Sequence, residues 1–186
     1  MQDINSSNIQ KLESMISQAR KIAVVTHQKP DGDAMGSCTA LYHFLSLCGK
    51  DSIRIILNDR YPAYLDFIVS DIPDTDLLVF SERPLETGII LRDSDLIFCL
   101  DFNAFSRTDK LEPFLAGSKA EKVLIDHHLN PDRAAFDLSF SETDISSASE
   151  LLYNVLISTS IIAQNAENLP VKACTALMTG MPTDTH

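Results

Sequence analysis

The chain has 186 residues, of which 45% are hydrophobic and 22% charged, and its formal net charge is −11 at pH 7. This is an ordinary globular composition, and the length suffices for one well-packed domain or for a large domain with part of a second. The acidic balance argues against a protein that binds duplex DNA or a membrane surface, but not against one that holds a small anionic substrate through bound metal ions.

Helical and strand patterns alternate through the first half of the chain. Apolar residues at helical spacing predict a first helix over residues 8–20. A short β-branched run predicts a buried strand over residues 21–27. The next predicted elements are a helix over 34–49, a strand over 51–58, a short helix over 61–69 and a strand over 76–80. The stretch over 72–87, rich in Pro, Asp and Thr, is expected to be the loosest part of the chain.

The alternation continues through the second half. The predicted elements are a strand over 95–103, a short irregular helix over 107–118, a strand over 121–128, an edge strand over 134–140, and helices over 146–159 and 170–180. Ser147 precedes Glu150 by three positions, which is the pattern of a capping box. Strands that alternate with helices predict an α/β fold, with a doubly wound, mostly parallel sheet and helices on both faces.

The compartment is predicted from what the sequence does not contain. The four cysteines form no CxxC pair and are expected to be small buried apolar residues rather than a disulfide or zinc-thiolate framework. The first residues show no secretory signal, and no apolar run is long enough to span a membrane. A cytoplasmic location is therefore expected.

Three predicted strands end in carboxylate and imidazole side chains. The strand ends are "AVVTH" followed by "QKPDGD", then "LIFCLD", and then "VLIDHH". Their ligand-type residues are His27, Asp31, Asp33, Asp101, Asp126, His127 and His128. Because ligands bind outside the carboxyl ends of parallel strands, these side chains are expected to converge. Asp184, in "TGMPTDT" after the last predicted helix, is a further candidate member of the cluster.

Aspartates crowded in this way repel one another unless a cation lies between them. Oxygen and imidazole ligands without thiolate suit manganese or magnesium, and they leave zinc, cobalt and iron possible. A carboxylate that bridges two ions about 3.5–4 Å apart is the usual basis of two-metal phosphoryl chemistry. Gly32 allows the tight turn that would aim Asp31 and Asp33 at the same place.

Each of these signals alone also has a structural explanation. "DGD" is more often a turn, and "DHH" is equally a helix cap or a surface patch. Asp101 at a strand end is commonly a turn residue, and Asp184 near the terminus is commonly a solvated tail residue. The conjunction of three separate strand ends favours a metal centre over these explanations.

The order of these segments resembles the motifs of the DHH phosphoesterase superfamily. "HQKPDGDAMGS" is similar to its first motif, "DFN" to its second and "DHH" to its third, while "SSAS" and "TDT" resemble later ones. The subgroup most similar is the DHH/DHHA1 group of small oligoribonucleases and 3′-phosphoadenosine-5′-phosphate (pAp) phosphatases, whose catalytic domain resembles that of the exonuclease RecJ. The resemblance implies that residues 1–186 form a DHH catalytic domain. The DHHA1 substrate-binding domain that follows in that subgroup is absent from this chain.

The resemblance also implies two ions that share one ligand. The ligands of the first ion would be His27, Asp31 and Asp101. The ligands of the second ion would be Asp33, Asp101, His127 and Asp184. Two manganese ions are expected in these positions, with magnesium or cobalt as alternatives.

The remaining roles implied by the resemblance concern catalysis and substrate. Together with the bridging Asp101, the catalytic residues would be His128, as a donor or weak acid facing the scissile phosphate, and Asp126, which would orient an imidazole or the loop. Arg107 and Lys29 are candidate contacts to a substrate phosphate, although solvated surface charge explains them as well. Ser147 is a weaker candidate, because its capping pattern explains that stretch nearly as well.

The expected function is therefore a metal-dependent phosphoesterase that hydrolyses short RNA oligonucleotides or pAp. Its partners would be these substrates and a second copy of the chain in a homodimer. Neither duplex DNA nor a membrane is expected as a partner. Inorganic pyrophosphatase, exopolyphosphatase or cyclic-dinucleotide phosphodiesterase activity is an alternative within the same chemistry. A non-catalytic domain that binds metal or nucleotide is an alternative from another class.

Overall fold

Six parallel strands form one sheet at the centre of the computed structural model, which describes residues 4–183. The strands are β1 (Ile22–Thr26), β2 (Ile53–Leu57), β3 (Leu77–Val79), β4 (Leu96–Leu100), β5 (Glu121–Asp126) and β6 (Leu138–Ser141). Their order across the sheet is β3-β2-β1-β4-β5-β6, and every neighbouring pair is parallel. Every residue of β1 and β4 is buried, as expected for parallel strands covered on both faces.

Helices cover both faces of the sheet. They are α1 (Ser6–Gln18), α2 (Gly32–Leu47), α3 (Asp66–Val69), α4 (Pro84–Asp93), α5 (Glu112–Gly117), α6 (Ala148–Ile157) and α7 (Val171–Gly180). One apolar cluster lies under α1, α2, α3, α6 and α7, and a smaller one lies under α4 and α5. Along β1, Ile22 and Val24 belong to the larger cluster and Ala23 and Val25 to the smaller one. The predicted doubly wound α/β fold with helices on both faces is confirmed.

The structure corrects the prediction in the region between β2 and β4. The stretch over 72–87, expected to be the loosest segment, contains β3 and the start of α4. Helix α4 was not predicted, because its start falls in the stretch that was expected to be loose, which includes Pro84. In the structure it occupies the start of the helix, where its missing amide hydrogen costs nothing. Only Thr87 and Leu91 of α4 are buried, so the helix shows little apolar periodicity.

Other predicted elements are present with shifted ends. β4 ends at Leu100, before the predicted end at residue 103, because Asp101 adopts a left-handed backbone with φ 62°. The predicted edge strand over 134–140 is β6 at Leu138–Ser141, and it does lie at the edge of the sheet. No helix within residues 4–183 is both long enough and apolar enough to cross a membrane.

The strand order reverses direction at β1, which lies between β2 and β4. In doubly wound sheets this reversal opens a crevice at the carboxyl ends of the two central strands. The loops after β1 and β4 therefore border one crevice, with the loop after β5 beside them.

Helix α2, which follows that crevice, is buried along nearly its whole length. Its backbone lies directly against α7: a Cβ atom added at Gly36 would be 2.6 Å from the carbonyl oxygen of Ala176 and 2.9 Å from the Cα of Gly180. Contacts this short exclude any side chain larger than hydrogen unless a helix moves. Gly36 therefore sets the distance between α2 and α7.

We expect Gly36→Ala to lower the free energy of unfolding by about 1–3 kcal/mol, because the added methyl group forces α2 away from α7. Urea denaturation measures this loss. Gly117→Ala is the matched control, because nothing lies within 4 Å of a Cβ at Gly117. The control should stay within about 0.5 kcal/mol of the wild type. Equal stability of the two variants would contradict the close helix contact.

Candidate metal centre

The loop after β1 folds directly into the first turn of α2. Asp31 is the N-cap of that helix, and its Oδ1 accepts hydrogen bonds from the amides of Asp33 (3.0 Å) and Ala34 (3.1 Å). His27 lies at the start of the loop, with its Nδ1 2.7 Å from the carbonyl oxygen of Gln28. This contact leaves Nε2 of His27 to face the carboxylates, 3.9 Å from Oδ1 of Asp31.

Asp101 lies between two imidazoles at the end of β4. Its Oδ2 is 3.4 Å from Nε2 of His27, and its Oδ1 is 3.4 Å from Nε2 of His127. The side chain is buried, and the Asp101 amide donates to the carbonyl oxygen of Ile125 (3.1 Å). Aspartate is among the few residues other than glycine that tolerate the left-handed backbone found here. One carboxylate is thus presented to groups from both flanking strands.

The residues present fit divalent cations. Among the described residues, Oδ1 of Asp101 is buried and accepts no hydrogen bond, although a buried carboxylate oxygen normally has a partner. Within the described part of the chain, the structure contains two sets of three ligand-type side chains. Within each set, every side chain offers one nitrogen or oxygen atom, and these three atoms all lie within 4.8 Å of one another. These sets are His27, Asp31 and Asp101, and Asp101, His127 and His128. Oxygen and imidazole donors that share Asp101 are the chemistry expected of manganese, magnesium or a similar ion.

Asp33 links the first turn of α2 to the start of α6. Its Oδ2 accepts from the amide of Ala148 (2.6 Å), and its Oδ1 accepts from the amide of Ser149 (2.8 Å). Oδ2 is also 4.0 Å from Nε2 of His127. Burial raises the pKa of Asp33 to about 7 and the charge of Asp101 adds to this rise, while the bonds from Ser149 and Ala148 oppose it. Because a carboxylate offers about four lone-pair sites, this bonding leaves room for the predicted ligand role.

Asp126 and His128 form a hydrogen-bonded pair beside the cluster. Nδ1 of His128 lies 2.7 Å from Oδ1 of the fully buried Asp126. The hydrogen bond to Asp126 raises the pKa of His128 above its ordinary value, against the opposing effect of burial. The side chain of His128 is 35% exposed, compared with 15% for His127. His128 is therefore the histidine of this pair that a bound molecule can reach more easily.

The histidines and Asp101 stabilise one another's charged forms. Burial alone would lower the pKa of His27, but the carboxylate of Asp101 raises it above its ordinary value. Burial alone would raise the pKa of Asp101, but the imidazoles of His127 and His27 lower it. In the absence of a metal ion, the imidazoles are thus the positive partners of the buried carboxylate.

Comparison with known proteins identifies this arrangement. The model of the DHH family, N-terminal domain, matches residues 21–181. The chain belongs to the DHH family. The resemblance inferred from the order of the motifs is thereby confirmed at the level of the family.

Solved structures similar to this DHH chain agree with the family match. An exopolyphosphatase-related protein from Bacteroides fragilis is 31% identical with a TM-score of 0.88, and the match covers 100% of this chain and 52% of that one. An exonuclease RecJ bound to manganese is 16% identical with a TM-score of 0.56, over 97% of this chain and 43% of that one. RecJ from Thermus thermophilus in complex with Mn²⁺ is 17% identical with a TM-score of 0.53, over 94% and 23%. The DHH chain spans about half of the first of these proteins and less of the other two.

The predicted substrate contacts take different positions in the DHH chain. Ser147 is buried and caps α6, accepting from the amide of Glu150 at 3.0 Å. The side chain of Arg107 is exposed. The backbone carbonyl oxygen of Arg107 accepts a hydrogen bond from the amide of Gln28 (2.8 Å), the residue after His27. Lys29 is also exposed, on a left-handed backbone with φ 52°. Lys29 and Arg107 thus lie exposed on the segments after β1 and β4, whereas the hydroxyl of Ser147 is engaged inside the protein.

Asp184, the last predicted metal ligand, lies outside the described residues. The last described residue, Thr183, lies against Gly32 at the start of α2, where an added Cβ would collide with the Thr183 side chain. The role of Asp184 stays a prediction.

Two asparagines that the sequence analysis did not name as site residues join the loops of the cluster. Nδ2 of Asn103 donates to the carbonyl oxygen of Leu129 (2.8 Å), and the carbonyl oxygen of Asn103 accepts from the amide of Asp132 (2.9 Å). Asn58 is buried at the end of β2 and bonds to the loop after β4. Each is the last residue of a predicted strand, over 51–58 and 95–103, and that position was the available signal.

We expect Ser147→Ala to lower the free energy of unfolding by about 1 kcal/mol, because α6 loses the side-chain acceptor at its N-cap. Thermal and urea denaturation measure this change. Thr143→Ala is the control, because Thr143 is exposed and lies four residues before the N-cap, and it should stay within about 0.5 kcal/mol of the wild type. Unchanged stability of Ser147→Ala, together with a raised KM for substrate, would instead support the predicted substrate contact.

Proposed function

We propose that this DHH chain is the catalytic domain of a two-metal phosphoesterase that uses manganese, with magnesium or cobalt as substitutes. The observation that carries the proposal is the position of Asp101, whose two oxygens each lie 3.4 Å from a different imidazole. Manganese in the two similar RecJ structures supports the choice of ion. When bound, two such ions polarise a phosphoryl group and make water a stronger nucleophile.

The side chains around Asp101 have separate tasks in this proposal. His27 and Asp31 hold one ion, while Asp33 and His127, with the predicted ligand Asp184, hold the other. Asp33 stays in place without an ion because the amides of α6 bind both of its oxygens.

His128 donates a hydrogen bond or a proton to the substrate phosphate. Its Nδ1 is fixed by Asp126, so Nε2 is the ring nitrogen presented to substrate. The exposure of this imidazole, and the hydrogen bond that favours its protonated form, support the assignment.

Short RNA oligonucleotides and pAp are the proposed substrates. Binding to long nucleic acid depends on many cationic contacts to phosphates, and a chain with a net charge of −11 is poorly suited to that. A short substrate needs only the metal pair and a few cationic side chains, and the exposed Lys29 and Arg107 lie on the segments after β1 and β4 that carry the cluster. Duplex DNA and membranes are not among the proposed partners, while a cytoplasmic location and a homodimer remain part of the proposal.

Inorganic polyphosphate or pyrophosphate is the second candidate substrate class. It is favoured by the similarity, at 31% identity over the whole chain, to a structure named an exopolyphosphatase-related protein. The same metal pair would serve both classes, because each reaction displaces an oxygen from phosphorus. The classes differ in whether the substrate carries a nucleoside.

We expect Asp101→Asn to reduce turnover by at least about 100-fold, or about 2.7 kcal/mol of barrier, because both ions lose their shared ligand. Asparagine keeps the shape of the side chain and tolerates the left-handed backbone. The protein is incubated with Mn²⁺ and, separately, pAp, a short RNA, a cyclic dinucleotide, pyrophosphate and polyphosphate. Release of phosphate or mononucleotide is measured.

The exposed Asp93 precedes β4 at the opposite end of the strand, so Asp93→Asn is the matched control and should keep full activity. Mn²⁺ at 100 times its Kd should also stabilise the wild type by about 2.7 kcal/mol, and Asp101→Asn much less. Turnover of phosphoanhydrides alone would favour the second candidate. Two bound ions without turnover of any substrate would indicate a non-catalytic domain.

We expect Asp126→Asn to lower kcat by about 10- to 100-fold while both Mn²⁺ ions still bind, because His128 loses the carboxylate that orients it. Steady-state kinetics and a Mn²⁺ titration measure the two quantities. Asp132→Asn, an exposed change in the same loop, should leave both unchanged. Loss of a bound ion in Asp126→Asn would show instead that Asp126 maintains the metal centre.

A further inference from the structure

The side chain of Asn58 joins three segments at the carboxyl end of the sheet. Asn58 follows β2 directly and is 2% exposed. Its Nδ2 donates to Oδ2 of Asp59 (2.9 Å) and to Oδ2 of Asp109 (3.4 Å), and its Oδ1 accepts from the amide of Lys110 (3.2 Å). Both amide hydrogens and the carbonyl oxygen are thus engaged, so the side chain has one defined orientation.

These bonds extend to the loop between His27 and Asp31. The carboxylate of Asp59 that Asn58 holds also accepts from the amide of Lys29 (3.0 Å). The amide of Gln28 donates to the carbonyl oxygen of Arg107 (2.8 Å), in the segment Phe105–Leu111 that Asn58 holds at its other end. Both amides immediately after His27 therefore depend on acceptors that Asn58 helps to place.

The backbone conformations of this network are unusual. Lys29 has φ 52°, and Asp109 combines φ 50° with ψ −113° inside the short helical segment after β4. Residues other than glycine keep such conformations only where the surroundings impose them. Asn58 bonds to the side chain of Asp109 and to the next amide, that of Lys110, and so holds the strained residue from both sides.

We propose that Asn58 is a positioning residue for the metal ion held by His27 and Asp31; this inference rests on the proposed function. The ligands assigned to the other ion are anchored elsewhere: Asp33 at α6 and His127 after β5. Within residues 4–183, the hydrogen bonds of Asn58 and Asp59 connect to the loop after β1 and to the segment after β4, and not to those two residues. Loss of Asn58 therefore weakens one ion of the pair selectively.

The first measurement uses the metal-free protein. In Asn58→Ala, amide hydrogen exchange of Gln28 and Lys29 becomes faster by about tenfold or more, because their acceptors are released. Asn168→Ala is the matched control: its Nδ2 donates to the carbonyl oxygen of Ile162 (3.0 Å) in the connection between α6 and α7. The control leaves exchange at Gln28 and Lys29 unchanged. If Asn58→Ala does not fold, Asp59→Ala takes its place, because it removes the acceptor of Lys29 and leaves the buried asparagine intact.

The second measurement is a Mn²⁺ titration by calorimetry, with electron paramagnetic resonance to detect coupled ion pairs. The wild type and Asn168→Ala bind two ions. Asn58→Ala binds one ion unchanged and the other about 10- to 100-fold more weakly, and high Mn²⁺ restores the coupled pair.

The two results separate this inference from the proposed function. Unchanged exchange in Asn58→Ala, or two ions bound as tightly as in the wild type, overturns the inference and leaves the proposed function standing. An equal loss of both ions also overturns it, because the effect is then not selective. A wild type that binds no ion pair overturns the proposed function and, with it, the role of Asn58.

Discussion

A buried carboxylate needs positive partners, and the need of Asp101 for such partners organises the carboxyl edge of this sheet. β4 lies between β1 and β5, so Asp101 at its end is flanked by His27 on one side and His127 on the other. The three ligand-bearing segments are distant in sequence, and only the strand order brings them together. Because unpaired charge in the interior is costly, imidazoles or cations must neutralise this carboxylate for the fold to be stable.

The helices hold the same cluster in place from outside the sheet. Asp33 belongs to α2, yet its two carboxylate oxygens accept hydrogen bonds from backbone amides of α6. The side chain therefore fixes the position of α2 relative to α6, and it also faces His127. The close contact of α2 with α7 at Gly36 prevents α2 from sliding along the sheet. An acidic side chain anchored in this way is preorganised for a cation, because little ordering remains to be done on binding.

The sequence predicted the features that depend on pattern and missed those that depend on distant partners. Apolar runs gave the strands, and the ligand-type residues after them gave the cluster and the family. Helix α4 was missed because only Thr87 and Leu91 face the core, which leaves no clear period. The hydrogen bond between Asp33 and Ala148 joins residues 115 positions apart in the sequence. The hydrogen bonds of Asn58 to Asp109 and Lys110 span about half that sequence separation, so no local pattern contains either set.

The burial of α2 also bears on how the chain folds. Its sequence has almost no polar stripe, and the helices that cover it, α6 and α7, begin only at Ala148 and Val171, long after α2 ends at Leu47. During synthesis, α2 therefore leaves the ribosome long before α6 and α7 have been made. Until then the apolar surface of α2 stays exposed in an incomplete folding intermediate. Contacts of such long sequence separation are closed late and slowly. The same architecture that encloses the cluster thus leaves the apolar surface of α2 open to aggregation during synthesis until α6 and α7 are made.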